Sequence, residues 1–184
     1  MIDYTHYLNL TLGIFTIIFQ VICVFVLISL FVVSDRNKFQ NKILSFISDN
    51  FLVIGFLFSF FATGFSLFYS DVLNFAPCFL CWLQRIFIFP QVILFGMAYI
   101  KKDKNVAHYA FPLLFIGSLI ALYHNFLYYF GESIAPCDAS GLSCVKRLVY
   151  EIGGYISIPM FSLTMFLILI TTLLVAHFYK NENI

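Results

Sequence analysis

The chain has 184 residues, of which 62% are hydrophobic and only 10% are charged. Soluble domains carry roughly 25% charged residues, so this composition excludes a soluble enzyme and a disordered chain. A formal net charge of +1 also excludes a nucleic-acid binder, and the lipid bilayer is the expected solvent for most of the chain.

Long stretches without Asp, Glu, Lys or Arg predict membrane-spanning helices, because a spanning helix needs about 20 mostly apolar residues. One stretch, 86–100, is too short alone, so its helix is expected to begin near Cys78 with Arg85 in its first turns. Only helices and closed barrels satisfy the backbone in lipid, so the predicted fold is an all-α integral membrane bundle with five spans. The five stretches are 7–34, 50–70, 86–100, 108–131 and 152–179.

The first span has no Lys or Arg before it and several after it, which indicates an anchor helix rather than a cleaved signal. Apolar residues recur at helical spacing along 38–48, which predicts a short helix on the cytoplasmic surface. The chain therefore divides into an N-terminal transmembrane helix with a surface segment, 1–49, and a domain of four transmembrane helices, 50–184.

The basic residues predict the orientation of the chain. Most of them lie in the loops after the first and third spans and at the C-terminus, whereas the other side carries Lys146 and Arg147. Because Lys and Arg are enriched in cytoplasmic loops, the N-terminus is expected outside and the C-terminus inside. Both close pairs of cysteines then face the extracytoplasmic side.

The first pair, Cys78 and Cys81, is expected at the outer end of the third span. Pro77 suits a helix start, and at a helix N-terminus the dipole stabilises a thiolate, which is the nucleophile in disulfide exchange. Arg85 follows Cys81 by one helical turn and is expected on the same face as both cysteines, where its charge stabilises a thiolate further. The alternative is an arginine that snorkels at the membrane boundary.

The second pair, Cys137 and Cys144, encloses mostly small or polar residues that suit an accessible loop. Disulfides persist outside the cell and rarely inside it, so two pairs on that side indicate thiol–disulfide chemistry with exchange between the pairs. Two alternatives remain open, a structural disulfide in this loop and a Cys₄ zinc site made from both pairs. We favour disulfide chemistry and predict no metal.

The sequence PCFLCWLQR at 77–85 resembles the first motif of the DsbB/BdbC family of membrane disulfide oxidoreductases, especially the BdbC branch. Tyr123-His124 resembles the Tyr-His pair of that family and precedes Cys137 by the spacing typical of it. The resemblance covers about 51–178 and also includes Pro136-Cys137 and the ISIP sequence at 156–159. The first span is extra to the usual four, and the loop of the second pair is short for the DsbB branch.

The resemblance implies a four-helix core that reoxidises a DsbA-like thioredoxin-fold partner and passes electrons to membrane quinone, either ubiquinone or menaquinone. This activity would support disulfide bond formation in extracytoplasmic proteins, from a multi-pass position in the plasma membrane or bacterial inner membrane. Carried over by position, Cys137 would exchange with the partner and Cys144 would be its disulfide mate. The quinone-linked pair would be Cys78 and Cys81, with Arg85 and His124 at the quinone.

Three other interpretations bear on this assignment. His124 alone would suit a satisfied buried histidine. A vitamin-K-epoxide-reductase-like bundle would use related chemistry, but Gln84-Arg85 and the Tyr-His pair argue against it. The chain could instead be a non-catalytic membrane protein with a cysteine metal site or structural disulfides. Because all the motifs follow the first span, that span is expected to be dispensable for the chemistry.

Overall fold

The computed structural model describes residues 2–31, 37–130 and 152–182, and five long helices dominate these ranges. A π-helical turn, Phe68–Val72, continues the second helix, and a 3₁₀ turn, Ile152–Gly154, precedes the fifth. The helices are α1 Ile2–Phe31, α2 Lys38–Leu67, α3 Phe79–Lys101, α4 Val106–Phe130 and α5 Ile158–Glu182.

Within the described ranges, five helices are long and apolar enough to cross a membrane. This confirms the predicted all-α fold and the five predicted spans. The third helix begins at Phe79 with Cys78 as its N-cap residue, close to the predicted start, and Pro77 lies one residue before the cap. The side of the membrane that each helix end faces stays a prediction.

The separate surface helix predicted over 38–48 is wrong, because these residues are the first turns of the continuous helix α2. The helix starts where the Asn37 backbone N–H donates to Oε1 of Gln40, at 3.0 Å. Leu44 is buried in a cluster with Val26 of α1 and Val175 of α5. Of the predicted apolar stripe, Ile43 and Ile47 pack against this cluster, whereas Phe39 and Phe46 stay exposed.

Four helices, α2 to α5, form a closed bundle in which α2 and α4 each pack against both α3 and α5. Phe95 of α3, Leu114 of α4 and Phe166 of α5 are fully buried at its centre. Helix α1 lies outside this bundle, mainly against α5. The bundle thus brings the start of α3 between the ends of α2 and α4, where the candidate site lies.

Candidate functional site

The first cysteine pair lies at the start of α3, with Cys78 as the N-cap residue and Cys81 one turn into the helix. The two Sγ atoms are 3.4 Å apart, and Cys78 is only 7% exposed. A disulfide bond is about 2.05 Å long, so the sulfurs are in contact without being bonded to each other. Small side-chain rotations would bring them to bonding distance.

The imidazole of His124 on α4 lies beside this pair. Its Nε2 atom is 3.9 Å from Cys78 Sγ, and the side chain is only 2% exposed. Gln84, one turn after Cys81, donates from its Nε2 to Nδ1 of His124 at 2.9 Å. This hydrogen bond fixes the ring so that its other nitrogen faces the sulfur.

Sequence reasoning missed the role of Gln84, although the residue belongs to the motif that drew attention to the cysteines. Its spacing of three residues from Cys81 is the available signal, since residues three apart neighbour each other on a helix. Asn125, next to His124, was also missed. It is buried and donates to the backbone oxygen of Pro159 at 2.9 Å, which fastens α4 to the start of α5.

Arg85 is buried between α2 and α3 and does not snorkel. Its Nε donates to Ser66 Oγ at 2.9 Å, and its Nη2 donates to the Ser66 backbone oxygen at 2.8 Å. The guanidinium carbon also lies 5.1 Å from the ring centroid of Trp82 and 6.0 Å from that of Phe89. The guanidinium is therefore held rigidly from the α2 side, by a serine that sequence reasoning did not single out.

The site has two sides, one on each flank of α3. The contacts of Cys78 and Gln84 reach α4, whereas those of Arg85 reach α2. Helical spacing alone places the cysteines and the arginine on one broad face, and the packing of two neighbouring helices divides that face. A cationic group and a thiol–imidazole group thus flank the same helix end.

Within the described ranges, Cys78, Cys81 and His124 form one cluster whose sulfur and nitrogen ligand atoms lie within 4.8 Å of one another. The predicted catalytic residues Cys137 and Cys144 lie outside the described residues. The Cys₄ zinc alternative needs that second pair, so the described residues supply a Cys₂His set instead.

Comparisons with known proteins consistently match disulfide bond formation proteins. The family described as "Disulfide bond formation protein DsbB" matches residues 48–176, so its match begins inside α2 and leaves α1 out. The SPbeta prophage-derived disulfide bond formation protein B of Bacillus subtilis is 40% identical over 113 residues, which are 61% of this chain and 76% of that protein.

Two further relatives carry similar names. The "Probable disulfide formation protein C 1" of Bacillus cereus is 42% identical over 129 residues, which cover 68% of this chain and 87% of the relative. The "Probable disulfide formation protein" of Metapseudomonas resinovorans is 34% identical over 128 residues, which cover 68% and 88%. No solved structure matches the chain.

Proposed function

Because this chain belongs to the DsbB family of disulfide bond formation proteins, we propose that it reoxidises a DsbA-like thioredoxin-fold partner and passes the electrons to membrane quinone. The family makes it a thiol–disulfide oxidoreductase in disulfide bond formation. The observation that carries the finer proposal is the contact of Cys78, Cys81 and His124 at the N-terminus of α3.

The start of α3 suits the chemistry of a thiolate. Exchange requires a thiolate that attacks a disulfide sulfur through a mixed disulfide. Cys78 is the N-cap residue of α3, so its sulfur lies near the positive end of the helix dipole. His124 Nε2, 3.9 Å away, is close enough to exchange a proton with this sulfur after a small movement.

The proposed electron path uses both cysteine pairs in sequence. The partner's dithiol is oxidised as the Cys137–Cys144 disulfide is reduced, with Cys137 in the mixed disulfide and Cys144 resolving it. The resulting dithiol then reduces the Cys78–Cys81 disulfide by the same exchange. Reoxidation of Cys78 and Cys81 to a disulfide releases two electrons and two protons, which the quinone accepts.

The surroundings of Arg85 fit a quinone, which presents carbonyl oxygens on an apolar ring. A guanidinium has five N–H groups, and its hydrogen bonds among the described residues are the two that it donates to Ser66. The remaining N–H groups can donate to a quinone oxygen and stabilise the negative charge that it gains. Trp82 and Phe89 supply apolar ring surface beside the guanidinium.

A bound quinone would supply a two-electron acceptor of high potential. Such an acceptor is required because DsbA-type proteins are strong oxidants, with a reduction potential of about −120 mV. The basic loops support a multi-pass position in the plasma or bacterial inner membrane, with both cysteine pairs on the extracytoplasmic side.

The test uses the full chain in lipid with a reduced DsbA-like partner and a soluble quinone, and it follows quinone reduction. We expect turnover by the natural protein and by the Cys23→Ser variant, whose cysteine is buried in α1. Cys78→Ser and Cys81→Ser should abolish turnover. An unchanged rate in either variant, or no turnover by the natural protein with any such partner, would contradict the proposal.

A further inference from the structure

We propose that the reduced Cys78–Cys81 pair and His124 form a binding site for a thiophilic metal ion, of which Zn²⁺ is the favoured candidate. The bound ion blocks reoxidation of the pair. The binding stands on the geometry of the three residues. The block on reoxidation rests on the proposed function.

Two of the three distances between the ligand atoms are close to those of a tetrahedral zinc site, and all three are within 4.8 Å. Zn–S bonds of about 2.3 Å and Zn–N bonds of about 2.0–2.1 Å place two sulfurs about 3.8 Å apart and a sulfur about 3.5 Å from a nitrogen. The Sγ atoms of Cys78 and Cys81 are 3.4 Å apart, and Cys78 Sγ is 3.9 Å from His124 Nε2. Shifts of a few tenths of an ångström would complete these two edges.

Gln84 gives the site an orienting residue of the kind that metal-bound histidines have. Histidine ligands are usually held through their second ring nitrogen, which fixes the ring and its tautomer. Gln84 contacts Nδ1 of His124 at 2.9 Å and so turns Nε2 towards the sulfurs. A metal on Nε2 leaves the proton on Nδ1, and the rotated amide of Gln84 can accept it through Oε1.

The ligand set selects the class of ion. Two thiolates and an imidazole favour Zn²⁺ or Cu⁺ and disfavour Mg²⁺ and Ca²⁺, which prefer oxygen ligands. Three protein ligands leave a fourth position for water, as in catalytic zinc sites. Cys78 and His124 are buried and Cys81 is partly buried, so most of a bound ion would be shielded from solvent.

Metal binding and disulfide formation exclude each other at this pair. Binding displaces the protons of the two thiols and transfers no electron, since zinc has no redox chemistry of its own. Disulfide formation uses the same two sulfurs and leaves no thiolate for the metal. The ion would therefore hold the pair in its reduced state until it dissociates.

The binding test uses the full chain in detergent with Cys137 and Cys144 replaced by serine, so that the second pair cannot bind metal. The reduced protein is titrated with Zn²⁺ against a coloured chelator, and with Co²⁺ as a spectroscopic substitute that reports thiolate ligation. We expect stoichiometric binding that is lost on oxidation of the pair and in the Cys78→Ser and His124→Ala variants. Gln84→Ala should weaken binding about 10–100-fold.

Cys23→Ser, which changes a buried cysteine outside the cluster, is the matched control and should bind like the parent. The oxidised parent protein is a second negative control. It has the same sequence as the reduced parent, so a loss of binding cannot result from misfolding of a further variant. Binding of equal strength in the oxidised parent or in His124→Ala would place the metal elsewhere and overturn the proposal.

The inhibition test follows oxidation of the reduced Cys78–Cys81 pair by quinone in the same background, in a single turnover with and without Zn²⁺. We expect Zn²⁺ to suppress oxidation and a chelator to restore it. Tight binding with an unchanged oxidation rate would overturn the inhibitory role. Tight binding in a protein that quinone never oxidises would instead contradict the proposed function and leave the metal site intact.

Discussion

Arg85 has two hydrogen bonds to one residue, Ser66, and only one of them reaches the serine side chain. Arg85→Ala should lower quinone reduction about 10²–10³-fold, because it removes a preorganised donor. Arg85→Lys should be intermediate, since it keeps the charge and loses the planar fork. The measurement is steady-state quinone reduction against quinone concentration.

Partner exchange, followed in a single turnover, should survive both Arg85 substitutions. Ser66→Ala should have a smaller effect than Arg85→Ala, because the backbone oxygen of Ser66 still accepts one bond. Ser45→Ala, in the other half of α2, is the matched control. Normal quinone kinetics in Arg85→Ala would reduce this residue to a structural link between α2 and α3.

Loss of the side-chain amide should have different effects at two buried glutamines on α3. Gln84 holds His124, whereas Gln91 donates to the Phe87 backbone oxygen and has an Oε1 atom without a partner among the described residues. Gln84→Leu should slow oxidation of Cys78 and alter its pH profile, because His124 loses its orientation. Gln91→Leu should leave activity intact and be neutral or stabilising by up to about 1 kcal/mol.

The readouts are the pH dependence of turnover and thermal unfolding in detergent. An unchanged pH profile in Gln84→Leu would limit Gln84 to packing.

Residue types and spacing identified the candidate side chains, and the geometry of one helix predicted part of their arrangement. Cys78, Cys81 and Arg85 were identified from their positions along α3. Helical spacing says nothing about which neighbouring helix each side chain meets. The contacts of Arg85 with Ser66 and of Gln84 with His124 depend on interhelical packing, so they could not be predicted.

At the level of elements, one glycine allows α4 to approach α5. A Cβ on Gly117 would collide with Cε1 of Phe166, which is fully buried. Gly117→Ala should therefore destabilise the protein by about 1–3 kcal/mol, as overpacking of a core does. The control is Gly64→Ala on α2, where a Cβ meets nothing within 4 Å. This substitution should be neutral or slightly stabilising. Thermal unfolding in detergent compares the two, and equal stability would mean that Phe166 can move aside.

Helix α1 is attached to the bundle by polar contacts as well as by apolar packing. Gln20 donates to Thr164 Oγ1 at 2.8 Å and accepts from the Tyr155 hydroxyl at 2.7 Å. Tyr69 donates to Asn9 near the start of the same helix. These contacts are with α5, with Tyr155 just before it, and with the π-helical turn that continues α2.

Gln20→Leu should weaken the docking of α1 by about 0.5–2 kcal/mol, the range of interhelical hydrogen bonds in membranes. A double-mutant cycle with Thr164→Val measures the pairwise part of this effect in thermal unfolding. A coupling energy of zero would mean that apolar packing alone holds α1. Removal of α1 should lower the stability of the protein, whereas disulfide exchange at Cys78 should persist. That α1 is dispensable for the chemistry stays a prediction.

Apolar stretches predicted the number and approximate bounds of the helices. The continuity of α2 was missed because Asp49 and Asn50 interrupt the apolar pattern. Polar residues do not end a helix when their side chains find local partners. Ser45 donates to the Asp49 carboxylate at 3.2 Å, and Asn50 donates to the Phe46 backbone oxygen at 2.9 Å.

For the whole molecule, the family resemblance read from the motifs is confirmed by the family match. The orientation remains a prediction, and two single cysteines can test it in a background without the natural ones. The substitutions are Val72→Cys and Asn105→Cys. Val72 is exposed at the turn between α2 and α3, and Asn105 is exposed between α3 and α4. A membrane-impermeant thiol reagent should label the first in intact cells and the second only after permeabilisation. The reverse pattern would invert the topology.

The length of α2 has a consequence for how the bundle sits in its membrane. With its π-helical turn this helix runs for 35 residues, Lys38–Val72, or about 50 Å at 1.5 Å per residue. Fitting that length into a hydrocarbon layer of about 30 Å would need a tilt of about 55°, beyond the 0–40° range of membrane helices. One end must therefore project, and the end that begins at Lys38 carries three of the four charged residues, Lys38, Lys42 and Asp49. Anchorage of this end in the lipid headgroups would set the depth of the whole bundle in the bilayer. That depth would in turn set the distance of Cys78 from the water layer.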